Sequence, residues 1–87
     1  MKKASFADVK SDMEKACLTL RSFTLAQHGF NERQGIDAIR RVNFQCDRLE
    51  VLFATGPHAK AAIIIAHSAR TRILAAEARL AVLQKAK

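Results

Sequence analysis

Two cysteines and three histidines are the residues of this chain best suited to redox, nucleophilic or metal chemistry. Cys17 and Cys46 are predicted to lie beside or within apolar helix stripes, where a thiol behaves as a small hydrophobic side chain. We therefore expect two buried, unreactive thiols, and a redox or metal pair is the alternative. His67 is predicted on the opposite face of its helix, and a fourth metal ligand is missing.

The sequence contains no constellation that would assemble an active site. His28 and His58 are predicted near helix ends. No serine–histidine–aspartate, paired-carboxylate or cysteine–histidine set has a spacing that would place its members together. We therefore predict that the protein is not an enzyme, and we expect no cofactor and no metal.

Arginines on the second predicted helix are the first candidate for anion binding. Arg40, Phe44 and Arg48 are four residues apart and share one helix face, with Arg41 adjacent. Arginine beside an aromatic ring is the combination with which single-strand binders hold phosphates and stack bases. Three acidic residues lie near enough to pair with these arginines: Asp37, Asp47 and Glu50. We favour a solvated, ion-paired face, and nucleic-acid binding is the alternative.

The net charge of +7 is concentrated near the end of the chain, where residues 56–87 carry six Lys or Arg and only one acid, Glu77. This excess favours an acidic partner, such as nucleic acid or an acidic protein surface. Arg72 and Arg79 are one heptad apart, and a dimer would align them with their counterparts into a basic ridge. Phosphate binding of that kind would be non-specific and sensitive to salt.

The elements that position these residues are three long helices, predicted over residues 5–28, 32–54 and 57–85. Ser5 with Asp8, and Asn31 with Gln34, match the spacing of capping boxes. Pro57 is predicted at the first helical position of helix three, where its missing N–H costs nothing. Short turns between long helices imply antiparallel neighbours. The prediction is an all-α, up-down-up bundle that forms a single domain over residues 1–87.

Each predicted helix has an apolar stripe with steps of three and four residues, typical of coiled-coil packing. In helix one the stripe is Phe6, Val9, Met13, Ala16, Leu20, Phe23, Gln27 and Phe30, and in helix two it is Ile39, Val42, Cys46, Leu49 and Phe53, with Ile36 and Leu52 beside it. In helix three it is Ala62, Ala66, Ala69, Ile73, Ala76, Leu80 and Leu83. These stripes are the predicted core.

A second apolar stripe on roughly the opposite side of each helix is more than a three-helix monomer needs. Leu18 and Leu25 form it on helix one, and Phe44 and Val51 form it on helix two. On helix three the second stripe is Leu74 and Ala81, widened by Ile63, Ile64, Ala75, Ala78 and Val82. The predicted contact face on this helix contains Ile64, Leu74, Ala78 and Val82. Because monomers rarely expose such contiguous apolar patches, we predict that this face, together with Phe44 and Val51 of helix two, binds a second copy, as in a homodimer, or a helical partner protein.

Neither a secretory signal nor a membrane span is predicted. Met1 and the two lysines after it precede Asp8 and Lys10 rather than an apolar segment, and the longest apolar run is only 61–66. We expect a cytoplasmic protein. The favoured function is a non-enzymatic helical interaction module, such as an adaptor, regulator or co-chaperone. The alternative is a small basic nucleic-acid-binding protein that dimerises through helix three.

Overall fold

A computed structural model describes residues 5–25 and 31–85. It contains the helices α1 (Phe6–Thr24), α2 (Glu32–Leu52) and α3 (Ala59–Lys85). Of the described residues 88% are helical and none is in a strand, which confirms the predicted all-α three-helix fold. Helix α2 packs closely against both of its neighbours, whereas α1 and α3 contact each other less.

Both predicted capping boxes are present. The backbone N–H of Asp8 donates to Oγ of Ser5 at 3.1 Å, and the Asp8 carboxylate accepts in return from the Ser5 N–H at 3.4 Å. Asn31 and Gln34 exchange the corresponding bonds at 2.9 and 2.8 Å. Each box satisfies backbone N–H groups that would otherwise lack a partner in the first turn, and thereby sets where α1 and α2 begin.

Two helix ends differ from the prediction. Helix α1 ends at Thr24 rather than at residue 28, and the Thr24 hydroxyl donates to the Leu20 carbonyl at 2.9 Å. Beyond the last helical residue, the N–H of Leu25 donates to the carbonyl of Arg21 at 2.9 Å, which supplies a partner for a carbonyl of the last turn. Residues 26–30 lie outside the described part of the chain. The prediction that Gln27 and Phe30 belong to the apolar stripe of helix one is therefore not tested. Helix α2 ends at Leu52 rather than at residue 54.

The predicted start of helix three at Pro57 is wrong. Gly56 has φ of 94°, which turns the chain, and Pro57 lies in the turn that follows. Helix α3 begins at Ala59, and the N–H of Ala62 donates to the carbonyl of His58 at 2.9 Å. The His58 ring stacks on Phe6 with centroids 4.3 Å apart. His58, the residue that directly precedes α3, therefore takes part in both the backbone hydrogen bond and the ring contact.

The buried core largely follows the predicted stripes, and the stripe residues Phe6, Ile39, Phe53, Leu80 and Leu83 are partly buried against it. Leu52, predicted beside the stripe of helix two, is 53% exposed. Gly35 and Ala38 are buried, although neither belongs to the predicted stripe. Helix α3 contributes mostly alanine to the core: Ala62, Ala66, Ala69 and Ala76, with Ile73. These small side chains allow the backbone of α3 to approach α2 closely.

Candidate interaction surfaces

The outer face of α3 is an apolar surface that the described residues expose. We define it by Ile63, Ile64, Leu74, Ala78 and Val82, all of which are exposed. Ile64 and Leu74 are each 66% exposed, and Val82 is 62% exposed. At about 100° per residue, Ile64, Ala78 and Val82 lie roughly opposite the alanine-rich core stripe, whereas Ile63 and Leu74 lie about 100–120° from it, on the side of Arg70. The four α3 residues predicted to bind a partner therefore share one open face.

The outer face of α2 carries the other two residues predicted to bind a partner. Phe44 is 59% exposed and Val51 is 76% exposed. Helical periodicity places both on the side of α2 that points away from the core. They form a smaller apolar surface than the outer face of α3.

A row of charged side chains separates these two faces where α2 meets α3. Arg70 on α3 forms ion pairs with Glu50 and, at 3.4 Å, with Asp47 of α2. Asp47 follows Phe44 by three residues and Arg70 precedes Leu74 by four, so the ion pairs lie between the two apolar surfaces. The predicted partner-binding residues of α2 and α3 therefore lie on two separate surfaces.

The arginines of α2 are divided among different partners. Arg41 pairs with Asp37 at 3.1 Å, as the sequence suggests. Arg48 instead donates to Asp12 of α1 at 3.1 Å and to Gln45 at 3.0 Å. The predicted pairing of Asp47 and Glu50 with α2 arginines is wrong, because both acids face Arg70 across the α2–α3 contact.

The other arginines predicted to bind anions are also dispersed. Arg40 is exposed on the outer side of α2. Arg79 is half-buried, with its guanidinium 6.0 Å from the ring centroid of Phe23. Arg72 is exposed beside an apolar groove between α1 and α3. The five arginines predicted to bind anions thus do not form a single patch.

The groove between α1 and α3 was not anticipated from the sequence. It encloses about 810 Å³, and its walls include Leu18 and Leu25 of α1 and Ile64 and Ala75 of α3. The sequence predicts Leu18 and Leu25 only as a second apolar stripe. Their position opposite α3 depends on the spacing of the two helices, and the small size of the buried Ala69 is the sequence signal for a close approach there.

Both cysteines are buried and neither is in a disulfide. Burial raises the pKa of the Cys46 thiol, and the positive charge of Arg70 offsets this only in part. The Cys46 thiol also donates to the carbonyl of Ala66, at an Sγ–O distance of 3.6 Å. Cys17 lies in the floor of the α1/α3 groove. These features agree with the expected inert thiols.

Within the described ranges, no cluster of three or more His, Cys, Asp or Glu side chains is placed to hold a metal ion. Among the same residues, no helix combines the length and apolar character needed to cross a bilayer. Comparison with protein-family models, curated proteins and solved structures gives no match to this chain.

Proposed function

We propose that this chain is a non-enzymatic helical interaction module that self-associates through the outer face of α3. The observation that carries this proposal is the exposure of Ile64, Leu74 and Val82 on one side of a helix whose opposite side already supplies the core. Three helices bury only one stripe each, and monomers seldom leave large aliphatic side chains in a contiguous exposed row.

A second copy fits the distribution of these side chains along α3. Leu74 lies near the middle of the apolar row, with Ile64 and Val82 at similar distances on either side of it. In an antiparallel contact about a two-fold axis, Leu74 would meet its counterpart, and Ile64 would meet Val82 of the other copy. The small side chain of Ala78 would allow the two helices to approach closely in the same contact.

The apolar area on this face is sufficient to contribute substantially to association. Full burial of a Val, Leu or Ile side chain contributes about 1.5–3 kcal/mol relative to full exposure. Ile64, Leu74 and Val82 are already one-third buried, so two copies would together gain roughly 6–12 kcal/mol. Loss of translational and rotational freedom opposes this with about 4–15 kcal/mol. At the favourable end of both ranges the balance is about 8 kcal/mol, which corresponds to a dimer of micromolar stability, and Ile63 would add to it.

The test is the molar mass in solution, measured by light scattering coupled to gel filtration at micromolar concentration. We expect a mass of two chains for the wild type. Leu74→Glu combined with Val82→Glu should reduce it to one chain, because two carboxylates on each copy would have to be desolvated in the contact. The circular dichroism spectrum should remain helical, since both side chains point away from the core.

Phe44→Glu combined with Val51→Glu is the matched comparison, because it changes the charge equally at two exposed apolar positions of α2. This variant should remain a dimer. If it dissociates while the α3 variant does not, the contact lies on α2 and the proposed surface is wrong. A wild-type mass of one chain would contradict self-association altogether.

A further inference from the structure

The α1/α3 groove is a second apolar surface that dimerisation through the outer face of α3 does not require. Its floor contains buried side chains of both helices, among them Met13, Leu20 and Ala69. Its walls are exposed aliphatic groups: Leu18 is 64% exposed and Leu25 is 54% exposed. Among the described residues, no further helix of this chain covers these side chains.

The length of the groove suits a helix. The α1 residues that line it extend from Lys10 to Leu25, which corresponds to about four helical turns, or roughly 22 Å. A helix laid between α1 and α3 would contact both, as the fourth member of a four-helix bundle contacts its two neighbours. An amphipathic helix would place its apolar stripe on the groove floor and its polar side in water.

The charged side chains beside the groove indicate whether an acidic or a basic helix would bind there. Lys10 and Arg21 on α1 and Arg72 on α3 line it, and Glu14 is the only acidic residue among the lining side chains. Three cations and one carboxylate around an apolar floor are complementary to a helix with acidic flanks. A second copy of this chain is less suitable, because its net charge is +7.

We propose that the α1/α3 groove binds an acidic amphipathic helix of a partner protein. This inference goes beyond self-association and uses a different set of side chains, apart from Ile64 at the boundary of the two surfaces. Apolar contacts with the floor and walls would provide most of the affinity. The basic side chains would select acidic helices over basic ones.

Two designed helical peptides of about 16 residues, or about four turns, serve as probes. Both carry the same leucine stripe, and they differ only in having glutamate or lysine at the flanking positions. Fluorescence anisotropy of the labelled peptides should show at least about fivefold tighter binding of the glutamate peptide at low salt. The difference should shrink as salt screens the exposed charges.

Charge reversal in the groove tests whether this preference originates there. Arg21→Glu combined with Arg72→Glu should lower affinity for the glutamate peptide at least about fivefold and raise affinity for the lysine peptide. Arg33→Glu combined with Arg40→Glu is the matched control, because it changes the net charge equally at exposed positions of α2. This control should retain the preference for the glutamate peptide, with a smaller loss of affinity.

Labelling of Cys17 provides a readout that needs no variant of the groove. Cys17 is 7% exposed in the groove floor, whereas Cys46 is fully buried outside it. Saturating glutamate peptide should slow the reaction of Cys17 with a thiol reagent at least about fivefold and leave Cys46 unchanged.

Three results would each overturn the groove proposal: no binding of the glutamate peptide, equal binding of both peptides, or bound peptide that leaves Cys17 as reactive as before. An α2 control that loses as much affinity as the groove variant would assign the effect to net charge and also contradict it. Self-association is judged separately by the mass of the Leu74→Glu and Val82→Glu variant, so the two proposals can fail independently.

Discussion

The ring of Phe23 on α1 occupies the space that a β-carbon at Gly35 of α2 would need. A Cβ built on Gly35 lies only 2.8 Å from Cε2 of Phe23, and closer still to two other ring atoms. Phe23 is fully buried in the core, so a shift of its ring would have to displace neighbouring core side chains. A glycine in the first turn of α2 therefore allows the two helices to meet around a large aromatic side chain.

This contact predicts that Gly35→Ala destabilises the protein, although alanine is the better helix former by about 1 kcal/mol. Overpacking a core costs about 1–3 kcal/mol, so we expect the free energy of unfolding to fall by about 1 kcal/mol. Urea unfolding followed by circular dichroism, at one fixed protein concentration, measures it. In a Phe23→Leu background the same substitution should be neutral or stabilising. Equal stabilisation by alanine in both backgrounds would contradict the close contact.

The buried Cys46 thiol predicts a stability that decreases at alkaline pH. Desolvation raises its pKa in the folded protein above the ordinary value of 9.0, so the folded state retains a proton that the unfolded state loses. The resulting contribution is present below pH 9.0 and is lost as the pH rises above it. Unfolding free energies at about pH 7 and about pH 10 should therefore differ more for the wild type than for Cys46→Ala. Equal differences would show that the thiol does not ionise on unfolding in this range.

The two thiols should differ in their reactivity. We expect both to react slowly with Ellman's reagent in the folded protein, and Cys17 to react faster, because it is 7% exposed in the groove while Cys46 is 0% exposed. The variants Cys46→Ala and Cys17→Ala each leave one thiol, so the two rates can be measured separately. Rapid labelling of both would place them outside a packed core, and a disulfide between them would restore the alternative of a redox pair.

Nucleic-acid binding should be weak and should disappear at physiological salt, because the five arginines predicted to bind anions do not form one patch. Anisotropy of a labelled single-stranded oligonucleotide, measured as salt increases, tests this. Arg40→Ala should reduce any residual binding more than Arg48→Ala, since Arg48 already pairs with Asp12. Tight binding that survives physiological salt would favour the alternative function, a basic protein that binds nucleic acid.

The helical fold and two of its helix starts are determined by patterns within a few residues. Ser5 and Asp8, like Asn31 and Gln34, interact across three positions, so their hydrogen bonds can be predicted without any knowledge of the remaining chain. The spacing of apolar residues likewise determines which side of each helix is buried, because an α-helix repeats every 3.6 residues. The exposed face of α3 follows from the same periodicity.

Contacts between helices were decided only by the tertiary structure. Arg48 and Asp12 are 36 positions apart, and their ion pair depends on how α1 and α2 are rotated against each other. The α1/α3 groove similarly depends on the separation of two helices that are not adjacent in sequence. Side-chain volumes across the whole core set these rotations and separations, as Gly35 beneath Phe23 illustrates. A periodic pattern identifies the buried side of a helix, but it does not specify the neighbour or the distance.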